Sequence, residues 1–313
     1  MRDRPPDEGR LIQLVFYAYV GLSRLALALP ERVAYGLAHI AGGVAARASK
    51  KRATVARNLS LITGEPETSE RVRRLVVDAY RSYARYWLET FRLVREGREF
   101  FLERFRGKGE ENIDAALERG KGVIVVVGHL GNWDAAGAWV GARGNRLVTV
   151  AEVLRPRRMF DFFVAHRAAL GMTIYPAERG SVLKLVDEVE NGAVVAILGD
   201  RDLKGRGPRV TFFGRRTTLP AGPASIALRT GAPLLVAGVY GVRFDDGRRG
   251  WEAEISEPIT RPEDGDTDPV GVLTQEIARH LERCIAKRPE EWHVFQPFWP
   301  TEEDQAHVDD ARS

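Results

Sequence analysis

The sequence contains little cysteine and lacks several familiar catalytic and nucleotide-binding motifs. Its 313 residues include one cysteine, Cys284, which excludes an internal disulfide framework and a cysteine-based metal site. So little cysteine also suits a reducing compartment. A GxSxG nucleophile elbow, a Walker A loop and a GxGxxG fingerprint are all missing. These absences argue against a serine hydrolase of that type, a P-loop NTPase and a Rossmann dinucleotide enzyme.

The composition is that of a globular protein with local charge clusters. Hydrophobic residues make up 44% of the chain, enough for one large domain or two small ones. The formal net charge is only +4, but basic residues cluster at 47–52, 155–158 and 205–216. The acidic end, 301–313, is expected to be a disordered tail.

The N-terminal region, 1–60, begins with an apolar run over 11–30 that ends at Pro30. It could be a secretory signal, a membrane span, a helix lying in the membrane interface, or a helix of a soluble core. No small-residue cleavage site follows the run, and Arg24 would be costly inside a span. A second amphipathic stretch ends in Lys50, Lys51 and Arg52, which favours a surface facing anionic lipid on the cytoplasmic side. We therefore favour membrane-interface helices over 1–60 and a peripheral location at the plasma membrane.

Residues 61–300 alternate between strand-like and helix-like segments. Such alternation predicts an α/β domain with a central, mostly parallel sheet flanked by helices. The segment 122–128, GVIVVVG, is apolar on both faces, as expected of a central strand. The other predicted strands are 146–153, 172–176, 193–200, 232–240 and 251–259, and the predicted helices are 69–95, 109–120, 132–144, 157–171, 181–192, 220–231 and one that begins at Asp268.

Polar residues stand where two of the predicted strands end. His129 follows 122–128 and Asp200 ends 193–200, so both fall at the edge of the sheet where ligands bind in such folds. Asp134 comes five residues after His129, across a strand-to-helix turn, and can fold back towards one imidazole nitrogen. With no cysteine nucleophile nearby, this pattern indicates a general base acting on a hydroxyl of the substrate. The alternative is structural: His129 caps a turn and Asp134 favours a helix N-terminus.

These residues carry a resemblance to a known family. GHLGNWD, with its His-X4-Asp spacing, resembles the signature of the glycerolipid and lysophospholipid acyltransferase superfamily, in the form found in lipid A lauroyl and myristoyl acyltransferases. The stretches DRDL, FFG and LPAGPA within 199–236, followed by EWHVFQP within 289–300, resemble the actinobacterial phosphatidylinositol mannoside acyltransferases. The resemblance covers residues 10 to 300, nearly the whole chain.

The resemblance implies an activity and a set of roles. Enzymes of this family move a fatty acyl chain from acyl-CoA or acyl carrier protein to a sugar hydroxyl of a lipid, here a mannose of phosphatidylinositol mannoside. His129 is then the base, Asp134 and Asp200 support its imidazole, and Glu152 and Arg167 surround the acceptor. The implied partners are acyl-CoA, phosphatidylinositol mannoside and the inner leaflet of the cell membrane, with no metal, no other cofactor and no nucleic acid.

Further residues are expected to bind substrate or line the site. Asn132, Arg201, Asp202 and Arg209 are candidates for binding, and Arg201 and Asp202 could instead form a local ion pair. The arginine-rich stretch 204–216 is either a solvated loop or a patch for CoA phosphates and lipid head groups. Candidates for the wall of an acyl-chain site, or alternatively for ordinary core, are Trp133, Phe160, Phe162, Phe163, Phe212 and Phe213.

Two rival functions remain beside this one. One is a lipid A-type or other glycolipid O-acyltransferase. The other is a basic protein that binds anionic lipid or nucleic acid, with His129 in a structural role. Only an enzyme requires His129, Asp134 and Asp200 to converge in one cleft.

Overall fold

The computed structural model of the protein describes residues 10–263 and 265–300, so the expected acidic tail lies outside the described residues. The helices are α1 (Arg10–Ala28), α2 (Glu31–Ala48), α3 (Arg52–Thr63), α4 (Glu70–Leu93), α5 (Arg98–Arg104), α6 (Glu111–Glu118), α7 (Trp133–Ala142), α8 (Arg157–Ala169), α9 (Ser181–Glu190), α10 (Gly222–Thr230) and α11 (Pro269–Lys287), followed by a 3₁₀ turn (Pro289–Glu291). The strands are β1 (Phe105–Lys108), β2 (Val123–Val127), β3 (Leu147–Ala151), β4 (Met172–Pro176), β5 (Val194–Leu198), β6 (Arg209–Phe212), β7 (Arg215–Thr218), β8 (Leu234–Arg243) and β9 (Arg249–Ile255).

The main sheet of the described residues has seven strands in the order β1–β9–β8–β2–β5–β3–β4. Neighbouring strands are parallel except β8 and β9, which are antiparallel. The prediction of an α/β fold with a mostly parallel central sheet is therefore confirmed. Because β2, β5 and β3 are adjacent and parallel, their carboxyl ends meet at one edge.

The central strand β2 is apolar on both faces because helices cover both sides of the sheet. Its five residues, VIVVV, are all buried. Ile124 and Val126 pack into a core with residues of α9, α10 and α11, whereas Val125 and Val127 pack into a second core that includes residues of α6 and α7. The alternation follows from the two-residue period of a strand.

The long helix α4 joins the N-terminal helices to the sheet region. It begins at Ser69, whose side-chain oxygen accepts a hydrogen bond from the amide of Val72, as the sequence predicts. α2 packs so closely on α4 that a Cβ on Gly42 would lie 2.6 Å from the Cα of Arg81. The boundary expected after residue 60 falls inside α3, and both α2 and α3 pack against α4.

The outer faces of α1 and α2 expose apolar side chains. On α2 these are Val33, Leu37, Ile40 and Val44, and their spacing of three to four residues forms one stripe along the helix. In the part of the chain that the structure describes, no helix combines the length and apolar character that crossing a membrane requires.

Three strands of the structure, β1, β6 and β7, were not predicted from the sequence. β1 adds an edge strand beside β9, and the predicted strand over 251–259 is β9 at 249–255. The arginine-rich stretch is a β-hairpin of β6 and β7 rather than a loop. Thr211 and Phe213 of this hairpin hydrogen-bond through their backbone amides to side chains of α11. β1, β6 and β7 escaped prediction because each is only four residues long, and half of the residues of β1 and β7 are charged.

Candidate active site

His129 and Asp200 form a hydrogen-bonded pair at the carboxyl ends of β2 and β5. The imidazole Nδ1 lies 2.6 Å from Oδ1 of Asp200, and the amide of His129 donates to Oδ2 at 2.8 Å. The indole Nε1 of Trp292 donates to the same Oδ2 at 2.8 Å. Asp200 is fully buried, yet these contacts orient and compensate its carboxylate. Since Nδ1 is bonded to the carboxylate, Nε2 is the nitrogen that remains for a substrate.

The pKa of Asp200 reflects two opposing influences. Burial acts to raise it, and the interaction with the His129 imidazole, together with the hydrogen bonds from His129 and Trp292, acts to lower it. The net pKa lies below its ordinary value. The carboxylate is therefore ionised at neutral pH, the form that supports a proton on the imidazole.

The loop that carries His129 is held by the segment after the last helix. The amide of His293 donates to the carbonyl oxygen of His129 at 2.7 Å, and the amide of Gly131 donates to that of Glu291 at 3.0 Å. Gly131 has φ 62°, and a Cβ there would collide with the carbonyl oxygen of Val239. Glycine is thus required at this turn, and the segment EWHVFQP supports the loop that carries His129.

Asp134 does not make the expected contact with the imidazole. Its Oδ1 accepts a hydrogen bond from Nε of Arg167 at 2.6 Å, and its Oδ2 accepts hydrogen bonds from the hydroxyls of Tyr86 at 3.0 Å and Thr90 at 3.4 Å. The carboxylate is buried on the side of α7 that faces α4 and α8. The expectation that it folds back onto His129 is wrong because residues distant in sequence satisfy both of its oxygens.

Arg167 is charged in this environment. Burial acts to lower its pKa, but the carboxylate of Asp134 and the neighbouring Tyr86 reverse that effect, and its pKa is raised. Arg167 also borders the cavity beside the site. The structure therefore brings Arg167 to the site, bound to a carboxylate of the protein.

A cavity of about 720 Å³ opens beside His129. It follows the face of the sheet covered by α7, where its wall includes Val125, Val127, Ala196 and Trp139. Polar side chains gather at the end near α4. They are Ser49, Lys51, Tyr80, Tyr83, Tyr86, Glu152, Arg201, His293 and Gln296. A site with one polar end and a long apolar wall suits an amphiphilic substrate.

Three of the predicted binding residues lie at or near this cavity. Glu152 follows β3, is exposed and lines the cavity. Arg201 also lines it, and its Nε donates to the side-chain oxygen of Gln296 at 2.7 Å when that amide faces it. Asp202 forms no ion pair with Arg201 within the described residues. Instead it accepts hydrogen bonds from the amides of Lys204 at 3.1 Å and Gly207 at 2.6 Å, so it shapes the loop.

Asn132 and Arg209 lie elsewhere. Asn132 is buried and caps α7 by accepting a hydrogen bond from the amide of Ala135, while its amide nitrogen donates to Glu89. The side chain of Asn132, which was expected to bind substrate, therefore serves as a helix cap. Arg209 lies on the exposed face of β6, outside the cavity lining.

The aromatic candidates divide between the cavity and the core. Trp133, Phe160 and Phe163 line the cavity. Phe162 packs instead against the cluster of α1 and α4, and Phe212 packs against Trp299. The hairpin therefore contributes core aromatics and not cavity wall.

His293 and Trp292 were not predicted to belong to the site. Trp292 contacts Asp200, and His293 lines the cavity with its Nε2 at 2.9 Å from the hydroxyl of Ser82. Their signal in the sequence was the motif EWHVFQP, but nothing in it indicates a strand-like contact with the loop after β2.

The fold and the site define a class of α/β protein in which the histidine of a histidine–carboxylate pair lines a largely apolar cavity. The chain belongs to the bacterial lipid A biosynthesis acyltransferase family, whose model matches residues 8–301. Membership of this family supports an O-acyltransferase activity on a glycolipid.

Two mycobacterial proteins agree with this assignment. The phosphatidylinositol mannoside acyltransferase of Mycobacterium tuberculosis (strain CDC 1551 / Oshkosh) is 34% identical over 249 residues, which cover 78% of this chain and 75% of that protein. The enzyme of the same name from Mycolicibacterium smegmatis (strain ATCC 700084 / mc(2)155) is 31% identical over 299 residues, 95% of this chain and 94% of that protein. The crystal structure of the 1-acyl-sn-glycerophosphate acyltransferase PlsC from Thermotoga maritima overlaps with a TM-score of 0.38 at 13% identity, covering 81% of this chain and 98% of that one.

Proposed function

We propose that this protein transfers a fatty acyl chain from acyl-CoA to a mannose hydroxyl of a phosphatidylinositol mannoside. The observation that carries the proposal is the His129–Asp200 pair, whose histidine lines the apolar cavity. The names of the similar mycobacterial proteins support the choice of acceptor.

In the proposed reaction His129 acts as general base. Its Nε2 takes the proton of the mannose hydroxyl while the hydroxyl oxygen attacks the thioester carbonyl carbon. The C–O bond forms, the C–S bond breaks, and the imidazolium returns its proton to the departing thiolate of CoA. Asp200 stabilises the imidazolium between these two proton transfers. A metal ion has no step in this sequence, and acyl-CoA is the co-substrate.

The cavity gives the acyl chain a place next to the base. Its apolar wall runs from Trp133 along the sheet towards Trp139, so a chain bound there would leave its thioester near His129. Burial of each methylene contributes about 0.8 kcal/mol. Long acyl chains should therefore bind more tightly than short ones.

Charged groups near the polar end suit the two head groups. Arg201 and Lys51 line the cavity and can attract the phosphodiester of the acceptor, while Glu152 can accept hydrogen bonds from sugar hydroxyls. In this proposal the exposed arginines of the β6–β7 hairpin, among them Arg209, bind the phosphates of CoA.

The proposal includes peripheral binding to the cytoplasmic face of the plasma membrane. The apolar stripe of α2 is exposed, and the same helix is followed by Lys50, Lys51 and Arg52, all exposed. Such a surface binds an anionic bilayer by apolar burial and charge attraction. Since Ala45 and Lys51 also line the cavity, lipid substrates could enter it from the bilayer.

The experiment combines two donors with two acceptors. Purified protein receives palmitoyl-CoA or palmitoyl acyl carrier protein, with mannosylated phosphatidylinositol or a lipid A precursor disaccharide. We expect free CoA and an acylated mannoside in equal amounts. Preferential acylation of the lipid A precursor would replace the proposed acceptor by the lipid A-type one. Lipid binding without acyl transfer in every combination would favour an anionic-lipid binding protein instead.

The matched control removes the base and keeps the fold. His129→Ala should lower turnover at least about 10²-fold, the scale of a lost general base, and leave acyl-CoA binding intact. Near-normal turnover of this variant, with an unchanged circular dichroism spectrum, would contradict the role of His129.

A further inference from the structure

The indole N–H of Trp133 is buried without a hydrogen-bond partner among the described residues. Trp133 is the first residue of α7 and lines the cavity. Its ring stands edge-on to that of His129, with 5.3 Å between the ring centroids. The indole nitrogen can only donate a hydrogen bond. Among the described residues, no acceptor replaces the water that would bind it in solution.

A second buried nitrogen without a partner among the described residues lies close to the same ring. It is Nδ1 of His293, whose ring centroid is 6.1 Å from that of Trp133. His293 also lines the cavity, and its backbone amide is bonded to the carbonyl of His129. Both unpaired nitrogens thus belong to the group of rings beside the proposed base.

The hydrogen bonds of Ser82 indicate which nitrogen of His293 carries the proton. The Ser82 hydroxyl lies 2.9 Å from Nε2 of His293 and accepts from Nη2 of Arg85 at 3.5 Å. Because the hydroxyl oxygen already accepts from a guanidinium, its own proton is available for Nε2. Burial and the neighbouring Arg85 and His129 hold the pKa of His293 well below its usual value, so the ring is neutral. We assign the Ser82 hydroxyl as the donor to Nε2, which leaves the one proton of the ring on Nδ1.

Two buried donors without acceptors carry a cost that a substrate can remove. A buried donor left unsatisfied costs about 1–3 kcal/mol. In the proposed reaction the oxygen that gains negative charge is the carbonyl oxygen of the thioester, and its carbon must lie within reach of His129. Donors arranged in advance around that oxygen stabilise the transition state more than the ground state.

We propose that the Nε1–H of Trp133 and the Nδ1–H of His293 bind the thioester carbonyl oxygen and stabilise the oxyanion formed on it. This inference rests on the proposed acyl transfer. As the hydroxyl oxygen bonds to the carbonyl carbon, the π electron pair moves to the carbonyl oxygen, which both N–H groups contact. The pair returns when the C–S bond breaks, and the thiolate takes the proton held by His129.

The test measures recognition of a carbonyl without turnover. Two unreactive analogues of palmitoyl-CoA are compared: a thioether, which lacks the carbonyl, and a ketone with a methylene between sulfur and the carbonyl carbon. Wild-type protein should bind the ketone about 2- to 10-fold more tightly for each hydrogen bond formed. Trp133→Phe keeps an aromatic ring, although a smaller one, and loses the donor, so it should reduce this preference, and Trp133→Phe with His293→Phe should abolish it.

Turnover gives the second readout. Trp133→Phe should lower kcat about 10²- to 10³-fold, the effect of one lost oxyanion donor, with a much smaller change in KM. His293→Phe should act in the same direction, and His293→Gln, which retains an N–H, should recover part of the loss. Trp133→Phe removes an unpaired N–H and no hydrogen bond of the protein, so any loss in thermal stability should come only from the smaller ring packed against Tyr86.

Trp299→Phe is the matched control. It makes the same chemical change outside the cavity lining, where the indole N–H donates to the carbonyl oxygen of Phe212 at 3.0 Å. This variant should keep the full preference for the ketone. A wild-type preference that survives in Trp133→Phe, or a kcat close to normal in that variant, would overturn the oxyanion role. Failure of the wild type to bind either analogue would instead contradict the proposed acyl-CoA donor.

Discussion

Arg167 on α8 donates a hydrogen bond of 2.6 Å to Asp134 on α7, so the aspartate of the His-X4-Asp motif is bound to an arginine and not to the histidine. The pair joins two helices that flank the cavity, and Tyr86 of α4 binds the second oxygen of the carboxylate. The two carboxylates of the site consequently have different tasks: Asp200 contacts the imidazole, and Asp134 holds α4, α7 and α8 together.

This difference predicts a large effect of Asp134 on stability. Asp134→Asn leaves Arg167 charged and largely buried without its counter-ion, so the free energy of unfolding should fall by about 3–5 kcal/mol. The double variant with Arg167→Gln should lose less than the sum of the two single variants. Urea unfolding of the wild type, the two single variants and the double variant measures these losses in the free energy of unfolding.

An exposed pair on α8 is the matched control. Arg157 and Asp161 are 3.2 Å apart, with side chains 61% exposed. Asp161→Asn should therefore change the free energy of unfolding by less than about 1 kcal/mol. Equal losses for Asp134→Asn and Asp161→Asn would contradict a structural role for the buried pair.

The same difference predicts how substitutions combine in catalysis. Asp200→Asn should lower kcat by about 10²-fold or more, since it removes the charge that stabilises the imidazolium. In a protein that already carries His129→Ala, adding Asp200→Asn should have little further effect, because groups that act as one unit are not additive. Asp134→Asn should change kcat by a similar factor in the presence and absence of Asp200→Asn. A strongly non-additive result for the two aspartates would show that both support His129.

The sequence predicted the sheet, and the placement of His129 and Asp200 at one of its edges, for a physical reason, whereas the support of the imidazole by Asp200 was implied by the family resemblance. β2, β5 and β3 are apolar, β-branched runs, and the positions of His129 and Asp200 follow directly from where the runs end. In an α/β fold this places them at one edge of the sheet. No knowledge of side-chain partners is needed for that step.

The direction in which Asp134 points could not be predicted in this way. Five residues across a strand-to-helix turn permit a contact with His129, but the competing partners Arg167 and Tyr86 are 33 and 48 residues away in the chain. Only the packing of α4 and α8 on α7 brings them together. The support from Trp292 and His293 was hidden for the same reason, since the C-terminal segment returns to the loop after β2.

His293 predicts a pH dependence of stability. Its pKa in the folded protein lies well below the ordinary 6.5, with burial as the first cause. Above about pH 6.5 the His293 ring is neutral in the folded and in the unfolded protein, and its contribution to stability is fully present. Below this pH the unfolded chain takes up a proton that the folded protein cannot, so the free energy of unfolding decreases as the pH is lowered. His293→Gln should lose about 1 kcal/mol less than the wild type between about pH 6.5 and 5.5. Parallel pH profiles of the two proteins in urea unfolding would contradict a neutral, buried His293.

The cavity predicts a change in chain-length preference. Ala196 on β5 faces the cavity, and the larger side chain of Ala196→Leu would occupy part of the space beyond the site. Transfer of long acyl chains should decrease more than transfer of short ones, because only long chains reach past this point. Ala168→Leu, on the exposed face of α8, is the control and should leave the ratio unchanged. Competition between palmitoyl-CoA and octanoyl-CoA measures the ratio, and an equal loss for both chains would mean that the acyl chain lies elsewhere.

The apolar stripe of α2 predicts how the protein meets a bilayer. Leu37 and Ile40 are 50% and 63% exposed, and each contributes about 1.5–3 kcal/mol when it is fully buried. Leu37→Glu with Ile40→Glu should therefore weaken binding to anionic vesicles at least about 10-fold, both by losing apolar burial and by adding negative charge.

Val182→Glu with Leu183→Glu, on exposed apolar positions of α9, controls for the charge and should leave binding close to the wild type. Co-sedimentation with vesicles of neutral and anionic lipid, at low and high salt, measures the affinities. Binding that responds equally to the two double variants, or that is the same for neutral and anionic vesicles, would contradict attachment through α2 and the basic residues that follow it.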